Sequence, residues 1–192
     1  MIIVKQSYKQ SVNKRIVQKE VYREIKGKFK HLVGLGGPDL DEYLRLARYA
    51  GIKNAIIYEF NVDQLLIQAS KNNNTLPTRV VFDDIISCPS GINDAFYDLD
   101  FCCSVQTAMP HISKFKNDPA AFTFSIRPLG LRDSVRNYVR STQNNTDYEF
   151  NLIETSSSFR RYELITSRAV QTAYIYKDTV PMLVISSNLS SL

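Results

Sequence analysis

Cysteine is scarce in this chain, and its placement excludes two classes at once. Cys88, Cys102 and Cys103 are odd in number and two are adjacent, so they form neither a disulfide framework nor a spaced metal quartet. Reduced thiols follow, with Cys102 and Cys103 on opposite sides of any strand that carries them. No apolar run approaches the ~18 residues that a membrane span needs, and the opening Met-Ile-Ile-Val-Lys is too short for a signal peptide. Internal repeats and low-complexity segments are missing as well. Together these absences predict a soluble, cytoplasmic protein with no membrane partner. What is there is 192 residues, 44% of them hydrophobic, enough for one sizeable core and too few for a second full domain.

The net charge of +5 is unevenly placed. Residues 1–31 carry nine lysines and arginines against Glu20 and Glu24, a local excess of seven, so the remainder is slightly acidic. Across residues 11–29 the apolar side chains Val12, Ile16, Val17, Val21, Ile25 and Phe29 recur at three- and four-residue steps, which predicts a helix with one apolar stripe and a basic outer face. That face either lies along phosphates or is a solvated cover for the sheet. The division expected is residues 1–30 as a basic helix packed on one domain formed by residues 31–192.

Residues 31–59 organise that domain: a short strand, a glycine turn, an amphipathic helix and a second apolar strand ending in Glu59. Gly34, Gly36 and Gly37 allow a tight turn and a close ligand, and the helix that follows aims its free N–H groups back into the turn. Glu59 stands 23 residues after Gly36, near the roughly 20 expected between a glycine turn and a ribose-binding acid. A dinucleotide fingerprint would need a third glycine at position 39, which is Asp39; that disfavours a nicotinamide oxidoreductase. Asp39 suits a ligand carrying its own cation, such as S-adenosylmethionine (SAM), or it simply caps the helix.

Strands and helices alternate afterwards. Asn61 and Gln64 resemble a capping box for a short helix, residues 79–86 read as a third strand with Asp83 and Asp84 at its exit, and residues 95–104 as a fourth. Continuous apolar strands separated by helices make a parallel sheet covered on both faces, with ligands beyond the carboxyl ends of its strands. In the fourth strand, alternation sets Asp98 and Asp100 on one side and Leu99 and Phe101 on the other, unless a loop at its exit breaks that regularity. There the two acids and Phe101 either build a site, with an aspartate holding an acceptor's hydrogen and Phe101 stacking on its ring, or serve as caps and core. Helices are predicted over residues 109–115 and 131–140, with a fifth strand over 120–126. Residues 148–167 read as a helix or an extra loop, and 169–178 with 180–188 as an antiparallel pair.

In this order the elements resemble the class I SAM-dependent methyltransferases over most of residues 11–190. The resemblance implies an α/β, Rossmann-like sandwich with a mostly parallel central sheet, helices on both faces and an antiparallel C-terminal hairpin. It also implies that Gly34, Gly36 and Gly37 face the methionine part of SAM, that Glu59 binds its ribose, and that Asp84, or its neighbour Asp83, binds the adenine amino group. Two departures stand out. His31-Leu-Val offers no acid before the glycines, so that support is missing or comes from Asp39. The segment Asp98-Leu-Asp-Phe101 has the spacing of the Asp-Pro-Pro-Tyr/Phe motif of amino-methyltransferases without its prolines.

The reaction expected is direct displacement at the SAM methyl carbon, which needs alignment and a free lone pair and no metal. Asp98 or Asp100 would hold the acceptor and Phe101 would wall it. The basic helix with Arg132, Arg136 and Arg140 favours an anionic acceptor, nucleic acid first, with a small molecule or protein side chain as alternatives. A non-catalytic binding or scaffolding protein on a decayed methyltransferase fold is the competing expectation.

Overall fold

The computed structural model describes residues 11–35, 40–61, 63, 76–143 and 146–189. Helix α1, Val12–Glu24, starts where the Ser11 side chain accepts the Lys14 N–H at 3.1 Å, and it buries Val17, Val21 and Tyr22. It stops five residues short of the predicted stripe. Gly27, in a left-handed conformation (φ +77°), donates its N–H to the Ala50 carbonyl and turns the chain into the first strand. Phe29 therefore reaches the core from that turn, stacked on Phe96.

Five parallel strands follow: β1 (His31–Leu35), β2 (Asn54–Tyr58), β3 (Thr78–Val81), β4 (Ala95–Ser104) and β5 (Ala120–Ser125). Helix α2 (Leu40–Tyr49) leads into β2, α3 (Val105–Lys114) joins β4 to β5, and α4 (Leu131–Thr142) follows β5. The capping-box helix expected after Asn61 falls largely outside the described residues. β3 ends at Val81, and Asp84 caps a short 3-10 turn, Ile85–Ser87, in place of the longer strand expected. Helix α3 begins four residues earlier than its sequence suggested, directly at the end of β4.

Residues 148–167 are neither helix nor loop. They form β6 (Tyr148–Thr155) and β7 (Phe159–Thr166), antiparallel to each other, and β7 pairs in turn with β8 (Val170–Lys177). In β7, Tyr162 and Leu164 pack on the core under α3 and α4 and Phe159 on the other core, the two-sided arrangement of a strand once neighbours supply its hydrogen bonds. The expected closing hairpin, β8 with β9 (Pro181–Ser187), is present, and β9 lies antiparallel beside β5.

The nine described strands make one sheet in the order β3-β2-β1-β4-β5-β9-β8-β7-β6. One core, containing Phe101, Val105, Phe122, Tyr138 and Leu164, lies under α3 and α4. The other, containing Val17, Tyr22, Leu44, Ile57 and Phe96, lies under α1 and α2. Parallel strands buried on both faces need such double cover. Among the described residues no helix is long and apolar enough to cross a membrane.

Candidate active site

Three neighbouring strands bring the candidate residues together. Gly34 of β1 lies opposite Ile57 of β2 on one side and Asp98 of β4 on the other, and Glu59 follows the last residue of β2. Because adjacent strands run about 4.8 Å apart, Gly34, Glu59 and Asp98 occupy one patch at the carboxyl end of the sheet. Glu59 is buried and its Oε1 accepts the Asn61 N–H at 2.9 Å. Gly36, Gly37 and Asp39 lie outside the described residues.

Gly34 has no room for a side chain. A Cβ there would sit 2.3 Å from the Tyr43 hydroxyl and 3.3 Å from the Asp98 carbonyl oxygen. The close approach that the glycine permits is thus taken by a tyrosine from α2. Tyr43 packs edge-on against Tyr22 of α1, their centroids 6.0 Å apart. The Tyr22 hydroxyl donates to Asp98 Oδ2 at 2.9 Å. Burial pushes the Asp98 carboxyl up to about 7; the nearby Asp100 charge adds to the rise, while the Tyr22 hydrogen bond and Lys14 oppose it.

Asp100 points to the same side and pairs with Lys14 of α1 at 2.5 Å. Burial pulls the Lys14 amine down, but the charge and hydrogen bond of Asp100 outweigh it and the net shift is upward. The second Asp100 oxygen, Oδ1, is buried with no hydrogen-bond partner among the described residues. Other basic groups of α1 are also engaged: Arg15 with Glu42 at 3.2 Å and Arg23 with Glu20 at 2.9 Å. The basic outer face read from the sequence is therefore narrower than its composition suggests.

Phe101 does not join the two aspartates. The β4–β5 register shifts between Asp100 and Ser104, and the contacts of Phe101 put it on the opposite face of the sheet from the aspartates, in the core under α3 and α4. There it is buried, its ring 5.1 Å from that of His111 on α3. The expectation that Phe101 walls the same pocket as Asp98 and Asp100 is corrected by that geometry.

On the Phe101 side stand the residues expected near adenine. Asp83 Oδ1 accepts the Asp84 N–H at 2.7 Å, and Asp84 Oδ1 accepts the Ile86 N–H at 2.8 Å while contacting His111 Nε2 at 3.1 Å. The Ile86 N–H, with help from His111, holds the Asp84 carboxyl below the usual carboxylate range. Tyr22, Tyr43, Lys14 and His111 are the members that sequence reasoning missed. Their signal was faint: Tyr22 falls beside Val21 on the apolar stripe of α1, where a hydroxyl needs a buried partner.

No family model and no curated protein matches this sequence. Solved structures do. The N-methyltransferase NodS from Bradyrhizobium japonicum, in complex with S-adenosyl-L-homocysteine, superposes with a TM-score of 0.56 at 8% identity, covering 92% of this chain and 87% of that one. A ribosomal protein L11 methylase from Lactobacillus delbrueckii subsp. bulgaricus does so with a TM-score of 0.50 at 9% identity, covering 90% and 76%. At these identities the likeness establishes the fold, and it is the class I methyltransferase fold.

Proposed function

We propose that this chain is a SAM-dependent methyltransferase acting on an anionic acceptor, with nucleic acid as the first candidate. The observation that carries the reading is the convergence of Gly34 and Glu59, at the ends of β1 and β2, with Asp98, which lies level with Gly34 in the longer strand β4. The residues present suit SAM in part. Glu59 follows β2 where a carboxylate can accept from ribose hydroxyls, and Asp84, with Asp83 beside it, lies after β3 at the cap of the 3-10 turn, where an adenine amino group would be held. Gly36, Gly37 and Asp39 complete the proposed cofactor loop. Against them stands the Tyr43 hydroxyl over Gly34, which must yield space to a methionine moiety.

SAM supplies an electrophilic methyl group. The chain's task is then to hold the acceptor in line with it and to take up a proton. Asp98 suits the second task, because a carboxyl that titrates near 7 exchanges a proton at neutral pH. Asp100 would orient the acceptor through its unpartnered oxygen, and Phe101 is left as support from the far face.

One observation favours the alternative of a non-catalytic protein on the same fold: Tyr22 and Lys14 of α1 already hold both aspartates. Transfer of a labelled methyl group from SAM to RNA, DNA or protein, together with calorimetric binding of SAM and S-adenosylhomocysteine, separates the two. In an enzyme Asp98→Asn lowers the transfer rate about 10²-fold or more while SAM affinity changes little. Binding without any transfer supports the scaffold, and no heat from either ligand at millimolar concentration removes the cofactor from both readings.

A further inference from the structure

The two outermost strands of the antiparallel half sort their side chains by face. Register sets Phe150 opposite Leu164, Leu152 opposite Tyr162 and Thr155 opposite Arg160, so these share one face of the sheet. Glu149 and Glu163 lie on the other face, as does Glu154, which pairs with Arg161 at 3.6 Å. On the first face Phe150 and Tyr162 stack with centroids 4.4 Å apart and ring planes 4° from parallel, both half-buried. Leu152 beside them is 55% exposed.

Helix α4 runs past this platform, and an open groove of about 680 Å³ separates the two, lined by Arg132, Val135 and Arg136 from the helix and Tyr148 and Phe150 from β6. Arg136 is held by Asp133 at 3.1 Å. Arg132 and Arg160 are exposed, and neither makes an ion pair among the described residues. One carboxylate, Asp147, lines the groove against these cations.

We propose that this groove binds single-stranded nucleic acid, with bases stacking at the Phe150–Tyr162 platform and phosphates held by Arg132, Arg136 and Arg160. Aromatic faces accept any base but are reached only by bases free of a duplex, and guanidinium groups grip phosphate in bidentate fashion. The volume lies within the roughly 300–1,000 Å³ of ligand clefts. Arg132 and Arg136 line the groove from α4, and Arg160 shares the platform's face two residues from Tyr162 on β7, so the cations are spread as a strand with successive phosphates requires. An acidic peptide would use the arginines and leave the aromatic pair idle. As an assignment of the acceptor, the proposal rests on the methyltransferase reading; as a binding site, it is measurable without SAM.

Fluorescence anisotropy of the full chain with labelled single-stranded RNA and DNA of about twelve nucleotides, a length spanning typical single-strand sites, tests it against a duplex of the same sequence and polyglutamate. The single strands are expected to bind, with affinity falling as salt rises. Arg132→Glu and Arg160→Glu should each weaken binding about tenfold and flatten the salt dependence, as lost phosphate contacts do. Both positions are exposed, so the thermal midpoint should hold. Phe150→Leu, which keeps apolar bulk and removes the stacking face, should weaken binding by roughly five-fold or more. Absence of single-strand binding at low salt, affinity indifferent to both charge reversals, or preference for duplex or polyglutamate overturns the proposal. Calorimetry with SAM on the same protein keeps the two readings apart: nucleic acid bound without SAM removes the enzyme and keeps the groove, and SAM bound without nucleic acid does the reverse.

Discussion

The Tyr22 hydroxyl of the first helix donates to Asp98 of the fourth strand at 2.9 Å, 76 residues away in sequence. That bond ties the basic N-terminal helix to the stretch of β4 beside Gly34 where chemistry is proposed. It also sets an acid in a place where ionisation is costly, since burial is the largest influence on Asp98 and carries it up to about 7.

Stability should therefore depend on pH through Asp98. Between pH about 4, where an unfolded aspartate titrates, and about 7, the native chain keeps a proton that the unfolded chain has lost. The native state binds more protons in that window, so stability is greatest below it and falls as pH rises through it, with a ceiling of about 4 kcal/mol at about 1.4 kcal/mol per unit. Asp98→Asn should remove this fall, leaving the variant about as stable as wild type at pH 4 and more stable at pH 8. Urea titrations of both proteins across pH 4–8 measure the difference, and parallel curves would show that Asp98 is ionised throughout.

At Gly34 the prediction is steric. Gly34→Ala drives a Cβ toward the Tyr43 hydroxyl, nominally to 2.3 Å, and overpacking of this kind costs about 1–3 kcal/mol. Tyr43→Phe removes the nearest atom, so Gly34→Ala should cost measurably less in that background. A double-mutant cycle by chemical denaturation reads the coupling; strict additivity would mean that Tyr43 swings clear at no cost.

Phe101 is core, and its replacement should act on the fold. Phe101→Ala is expected to destabilise the protein by roughly 3–5 kcal/mol while SAM affinity per folded molecule stays within about twofold. Thermal denaturation and calorimetry on the same sample check both halves. A stable variant that has lost affinity for the acceptor alone would return Phe101 to the substrate pocket.

Glu59 carries the cofactor expectation. Glu59→Ala should weaken SAM by roughly 1–3 kcal/mol if its carboxylate accepts from the ribose hydroxyls, measured calorimetrically at a pH where both proteins are folded. Glu59→Gln should recover part of the loss, since the amide oxygen still accepts. Equal affinity across all three proteins would place the ribose elsewhere.

Much of this protein was determined by sequence alone, because the determinants are local. The period of Val17 and Val21 made α1 a helix, and apolar runs made β1, β2 and β4 parallel strands; which face Phe101 takes was left open by the sequence and decided by its packing under α3 and α4. The short connection at residues 178–180 fixed an antiparallel pair. What tertiary structure decided are the long-range pairings, which no local pattern encodes: Tyr22 with Asp98, Lys14 with Asp100 and Tyr43 over Gly34. β6 and β7 belong with these, since their mixed polar and aromatic sequence becomes a strand pair only when the β8 edge offers its backbone hydrogen bonds. The aromatic platform along α4 exists for the same reason: register across β6 and β7 gathers Phe150, Tyr162 and Arg160 on one face, and register is a property of the assembled sheet.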